Sequence, residues 1–334
     1  MRLIRPLSTL AVGATLCLAL AACSSSGSGG GGGEGGANFP DDTIDVIVPF
    51  AAGGPTDTVT RILAEPLGEE LGVQVVVDNV EGAGGTVGAG EASTADPDGY
   101  TLLLHHIGMS TAPALYPDLN FDPVEDFEPI GLVTEVPMAI LSRSGLGPAD
   151  LDELVSYIED NQGSVTLAHA GVGSASHLCG TLLQDALGVE LTEVPYDGTG
   201  PAMADLLGGQ VDLLCDQTTN SASQILAGSV EAYAVTVPDR VAVLPEIPTT
   251  AEAGLPDVEV SIWHGLYAPA GTPEEVVTIL NEALITALGN EEVGTQFEEL
   301  GTSPVTAEQA SPTTLATQLD DQIALWGGLL GQEG

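Results

Sequence analysis

From Asn38 onward, short apolar runs rich in β-branched residues alternate with longer segments of helical period, and this alternation breaks off and later resumes. Strands separated by helices are the mark of an α/β sheet covered on its faces. Thr43–Phe50, Val73–Val80 and Tyr100–His106 are predicted strands. A helix is predicted over Thr56–Leu71, where Ile62, Leu63, Leu67 and Leu71 recur at helical spacing, and a short one over Gly88–Ala95. A strand at Val136–Arg143 then opens a second set. It comprises helices over Ala149–Asn161, His177–Leu187 and Met203–Leu207, and strands VTLAHA, one ending at Tyr196, VDLLCDQ and YAVTV. VSIWHGLYAPA, from Val260 to Ala270, reads as a return to the first set, and helices over Glu274–Leu288, Val293–Leu300 and Pro312–Leu329 close the chain. A set that is interrupted and resumed implies two lobes joined by two crossing strands. Such a chain has a cleft between the lobes, where hinge closure buries a ligand.

The charge balance removes whole classes of function. The 334 residues carry 48 acidic side chains against five basic ones, a formal charge of −43. All five are arginines (Arg2, Arg5, Arg61, Arg143, Arg240), and there is no lysine. Nucleic-acid binding needs clustered cations along the phosphate track, and a P-loop needs its lysine. Neither is available. So acidic a surface resembles that of proteins adapted to high salt, where screening relieves self-repulsion.

The first residues carry an address. Arg2 and Arg5 precede an apolar run from Leu7 to Leu20, too short to span a membrane comfortably and suited to a signal peptide over residues 1–22. It ends in Leu-Ala-Ala-Cys23, which resembles the bacterial lipobox, so Cys23 is the expected lipidation site and the outer face of the cell membrane the expected location. A Ser/Gly-rich tether follows to residue 37. Removal of the signal leaves three arginines against 48 acids, −45. It also leaves Cys179 and Cys215, an even pair in an oxidising compartment: a disulfide is expected, the alternative being two buried thiols.

Two glycine-bearing junctions are the candidate ligand sites. In PFAAGGPTD, Pro49 to Asp57, a strand ends, two glycines allow close approach, and Pro55 can open a helix. Free N–H groups and the dipole at a helix start make an anion site that needs no cationic side chain. A plain strand–turn–helix junction would use the same residues. GVGSASH, Gly171 to His177, repeats the device in the second set, and two such termini would grip the carboxylates of a small acid. Neither Ser174 nor Ser176 sits in a G-x-S-x-G elbow, so a hydrolase is not indicated. GAGGTVGAG, Gly82 to Gly90, lacks the dinucleotide register. His105 and His106 are adjacent on a strand and so point to opposite faces; one of them, His106, is the candidate for the cleft. No metal-binding histidine spacing or calcium loop is present, so neither a metal nor a cofactor is expected.

With these motifs in place, the chain resembles the extracytoplasmic solute-binding receptors of tripartite tricarboxylate transporters, the Bug or TctC-like family. The resemblance rests on IDVIVPFAAGGPTD, VVVDNVEGAGGTVG, ADPDGYTLLL, DFEPIGLV, GVGSASHL, VPYDGTGPAMADLLGGQVDLL, LPEIPTTAEAG and WHGLYAPAGTP, in that order along nearly the whole chain beyond the tether. It implies a two-lobed type II periplasmic-binding-protein fold, no catalysis, and a monomer that hands a small organic acid to a membrane permease. Carried across, it implies lobe one over 38–138 and 258–334 and lobe two over 139–257. It implies ligand-binding roles for Phe50, Ala51, Gly53, Gly54, Thr56 and Asp57 in lobe one, and for Ser174, Ser176, His177, Tyr196, Asp197 and Gly198 in lobe two. Asp197 departs from the residue that many relatives have after the Pro-Tyr pair; an acid there disfavours a plain dicarboxylate and allows a neutral or cationic distal group. The same fold also serves sensing modules that present a ligand to a membrane histidine kinase.

Overall fold

The computed structural model describes residues 39–330, so the signal segment, Cys23 and the tether lie outside the described residues. Among the described residues no helix is long and apolar enough to cross a membrane.

The first strands are β1 (Ile44–Val48), β2 (Val75–Asn79) and β3 (Thr101–His106), with helices α1 (Pro55–Leu71) and α2 (Thr86–Ser93) between them. β1 pairs in parallel with both β2 and β3, as short βαβ connections require. After α3 (Gly108–Leu115) comes β4, a 17-residue strand over Phe127–Arg143. The second set follows as α4 (Leu151–Asn161), β5 (Thr166–His169), α5 (Ala175–Leu187), β6 (Thr192–Pro195), α6 (Thr199–Leu207), β7 (Leu213–Gln217), α7 (Thr218–Leu226) and β8 (Val230–Val235). β9 (Ser261–Pro269) returns to the first set, and α8 (Glu274–Leu288), α9 (Glu291–Glu299) and α10 (Pro312–Leu330) end the chain.

β4 belongs to both sheets. Phe127–Pro137 pairs antiparallel with β9, which also pairs with β3, whereas Met138–Arg143 pairs with β7 and β8. The order is β2-β1-β3-β9-β4-β7-β5-β6, with β8 also on β4. The chain crosses back beside this point: Thr236 N–H bonds Met138 O, and Val260 N–H bonds Thr236 O. These paired crossings divide a two-lobed periplasmic-binding-protein fold. Each lobe has its own apolar cluster, with Ile44, Val59, Leu104, Leu284 and Phe297 in the first and Leu141, Met203, Leu206, Leu214 and Val235 in the second. Cys179 on α5 and Cys215 on β7 form a disulfide, their Cα atoms 6.0 Å apart and both residues fully buried.

Three elements escape a periodicity reading. α3 (GMSTAPAL) contains glycine and an internal proline, and α7 (TTNSASQIL) is mostly polar. The first half of β4 carries Pro129 and Gly131 at register shifts, so its alternation is broken.

Candidate functional site

The loop from β1 into α1 forms one wall. Gly54 is the N-cap of α1 without a side-chain cap, and Pro55 stands at the first helical position. Asp57, in the first turn and buried, gathers this loop around itself. Its Oδ2 accepts Gly53 N–H at 2.8 Å and Arg61 Nε at 2.9 Å. Its Oδ1 accepts Asn79 Nδ2 at 3.0 Å, and the same amide reaches Phe50 O at 3.0 Å. Burial alone would raise the Asp57 carboxyl, but the hydrogen bonds from Arg61, Gly53 and Asn79 hold it below its ordinary value. The Gly53 N–H is therefore used internally. Phe50 stacks on His106, ring centres 4.6 Å apart.

The opposite wall is the loop from β5 into α5. Ser174 caps α5 by accepting His177 N–H at 3.3 Å. Ser176 Oγ accepts Ala170 N–H at 2.8 Å and lies 3.1 Å from Ser174 Oγ. The end of β7 adds Asp216 and Gln217, and the start of α6 adds Thr199, whose Oγ1 sits against Asp216 without a hydrogen bond of good geometry.

Four histidines share one device. The Nδ1 atoms of His105, His106, His169 and His177 each accept a backbone N–H, from His106, Gly108, Gly171 and Gly173, at 2.7 to 3.3 Å. An accepting Nδ1 fixes the neutral ring with its proton on Nε2. Burial works in the same direction: it lowers His105 and His264 to about 3, and it lowers His106, His169 and His177 below their ordinary value. Nε2 of His169 and His177 lie 3.8 and 4.0 Å from Glu193 Oε2. A protonated Nε2 cannot ligate a metal, and among the described residues no group of three or more His, Cys, Asp or Glu is placed to hold one.

The two walls are closed on each other. Ala51 N–H bonds Asp197 O at 2.9 Å. Tyr116 O–H donates to Val172 O and Thr111 O–H to Gly173 O, both at 2.8 Å. Glycine makes the approach possible: a Cβ on Gly84 would stand 2.0 Å from Val172 O, and one on Gly171 would stand 2.7 Å from Gly84 N. The cavity left inside is lined by Phe50, Pro55, Thr56, His106, Met138, Ala170, Ser174, Ala175, Ser176, Thr199, Asp216 and Gln217. Its free space of about 10 Å³ is near one water's worth. A wider groove along α1 and β2 opens on the edge of the first sheet, away from this meeting of loops.

Of the residues singled out in the sequence, Phe50, Thr56, His106, Ser174 and Ser176 line the cavity. Ala51, Gly53, Gly54, Asp197 and Gly198 lie where the β1 loop meets the β6–α6 loop. Asp57 and His177 stand behind their loops, and Tyr196 donates its O–H to Asp205 Oδ2 at 2.7 Å. Thr199, Asp216 and Gln217 were not singled out. Their signal is a polar Asp-Gln pair at the carboxyl end of an otherwise apolar strand, where open α/β sheets place ligands.

Residues 59–334 match the family described as "Tripartite tricarboxylate transporter family receptor". The chain belongs to this family. A UPF0065 protein in the TAR-I ttuE-ttuC' intergenic region of Agrobacterium vitis is 48% identical over 297 residues, 89% of this chain and 86% of that protein. The periplasmic binding protein BugD superposes with a TM-score of 0.86 at 48% identity, over 88% of this chain and 98% of BugD. MatC from Rhodopseudomonas palustris, solved with bound malate, gives 0.85 at 42% identity, over 87% of this chain and all 100% of MatC. As a member of the family, the chain is an extracytoplasmic solute-binding receptor and not an enzyme.

Proposed function

We propose that this receptor captures a small organic acid between its lobes and delivers it to the membrane subunits of a tripartite tricarboxylate transporter, tethered by a lipid on Cys23. The lobes span 38–138 with 258–334, and 139–257. The observation that carries the reading is the pair of helix-opening loops that meet around a small cavity, which the lobes must part to fill with an acid. It is lined by the carboxyl of Asp216, by hydroxyls and by an uncharged His106. Such donors suit a carboxylate without a basic side chain. The malate in MatC supports that ligand class.

The test is a thermal-shift screen of the chain from Asn38, in high-salt buffer, against mono-, di- and tricarboxylates and aromatic acids. A ligand at a hundredfold excess over its Kd adds about 2.7 kcal/mol of stability. A clear shift with one acid class supports the reading, and a flat screen on folded protein defeats it. Mass spectrometry of the membrane fraction, with and without C23A, tests the anchor.

A further inference from the structure

Asp216 stands in the cavity wall, fully buried, at the end of β7. It has no counter-ion. The chain has no lysine, and the three arginines among the described residues are engaged elsewhere: Arg61 with Asp57, Arg143 with Asp212, and Arg240 with Glu252. What faces Asp216 is uncharged. From its own strand Gln217 N–H donates to Oδ1 at 2.9 Å, and from α7 Asn220 Nδ2 approaches Oδ2 at 2.5 Å. α7 holds no titratable residue. From α6 comes Thr199, while Asp205 of that helix bonds Tyr196. On α5 and β5, His177 and His169 turn their Nε2 toward Glu193 of β6. On β4 the residue opposite is Ala139. Across the cavity the other titratable lining group is His106, held neutral by the Gly108 N–H on its Nδ1.

A carboxylate ligand entering this space would meet a second carboxylate in a medium where like charges repel strongly. We propose that Asp216 carries a proton when an anionic ligand is bound, so that the receptor takes up one proton with its ligand and accepts anions according to the charge state of this one side chain. This rests on the organic-acid reading above.

The Asn220 amide turns its Nδ2 to both Asp216 Oδ2 and Thr199 O, so it offers the carboxyl a neutral donor and no compensating charge. Burial pushes the Asp216 carboxyl up to about 7, against the hydrogen bonds from Asn220 and Gln217 and the nearby Thr199 hydroxyl.

The experiment is isothermal titration of the full chain with malate between pH 6.5 and 8.5, in two buffers of different ionisation enthalpy, for wild type and D216N. The expected result is uptake approaching one proton per malate in wild type, with affinity falling about tenfold per pH unit at the alkaline end. D216N should show no buffer dependence and bind more tightly than wild type at pH 8.5. Malate binding with no proton uptake, or with the same uptake in D216N, overturns the proposal. If malate and the wider acid panel give neither heat nor thermal shift, the organic-acid reading has failed, and pH profiles of stability decide this proposal separately. A buried group that prefers its proton loses stability as pH rises through the range from the unfolded to the folded value. The advantage of D216N over wild type should then widen from pH 5 to pH 8, and parallel profiles overturn the proposal.

Discussion

The loop after β1 is held by an ion-pair network, whereas the loop after β5 is held by hydroxyls and uncharged imidazoles. Both end one strand and begin one helix, and both face the same cavity. In the first, Asp57 collects Gly53, Arg61 and Asn79 on one buried carboxylate. In the second, Ser174, Ser176, His169 and His177 each satisfy a nearby backbone N–H. The second loop is also tied covalently, because Cys179 sits one turn into α5 and Cys215 precedes Asp216 on β7. Equivalent positions in two lobes can thus be made rigid by unrelated means, provided that no net positive charge is needed to receive an anion.

The largest way to break the contrast is to cut that tie. C179A with C215A removes a link across 36 residues, for which the chain-entropy relation gives about 4 kcal/mol. Urea unfolding of the double variant should show that loss, while reduction of wild type should approach it. Asp57→Ala is expected to cost roughly 3 kcal/mol, because Gly53 and Asn79 lose a buried acceptor and Arg61 its partner. The sign with pH follows from its lowered folded value: the contribution is present above the unfolded value near pH 4 and is lost as pH falls through the folded one. D57N should therefore flatten the acid limb of a stability profile, and an unchanged limb would remove Asp57 from the account.

Gly84→Ala tests the meeting of the lobes rather than either loop. A Cβ would collide with Val172 O, and φ at Gly84 is +65°. Ligand affinity should fall by at least tenfold, about 1.4 kcal/mol, with a stability loss of about 1 kcal/mol from the left-handed backbone. Equal losses in binding and in unliganded stability would show the clash to be relieved by local movement. The smallest effect belongs to Tyr116→Phe, which deletes one hydrogen bond between the lobes at a partly exposed site. About 0.5–1 kcal/mol is expected, read as a faster ligand off-rate with the on-rate preserved.

The architecture was legible where apolar period is strong. Strands such as IDVIV and TLLLHH and helices such as α8 declare themselves, and the resumption from Val260 places the crossing strands. α3 and α7 were not legible, because their residues have weak helical preference and tertiary packing decides their form. The loops of the site could be read from glycine and proline, since the backbone there demands those residues. The family resemblance implies a ligand role for Asp57, although its hydrogen bonds face its own loop. Asp216 was hidden by the opposite problem. One acid among 48 carries no mark of burial until the strand order sets it in the cavity wall, with each described arginine paired to another carboxylate.

The glycine-lined meeting of Gly84 with Val172 and of Gly171 with Gly84 also shapes the thermodynamics of shutting. Peptide groups already fixed by their turns make this contact, apart from the hydroxyls of Thr111 and Tyr116. A latch of this kind has few rotamers to freeze, those of Thr111 and Tyr116, so the entropy lost on closing is small. The free energy gained from holding a solute is then left mainly for choosing among solutes, and only a little of it is consumed in moving the lobes.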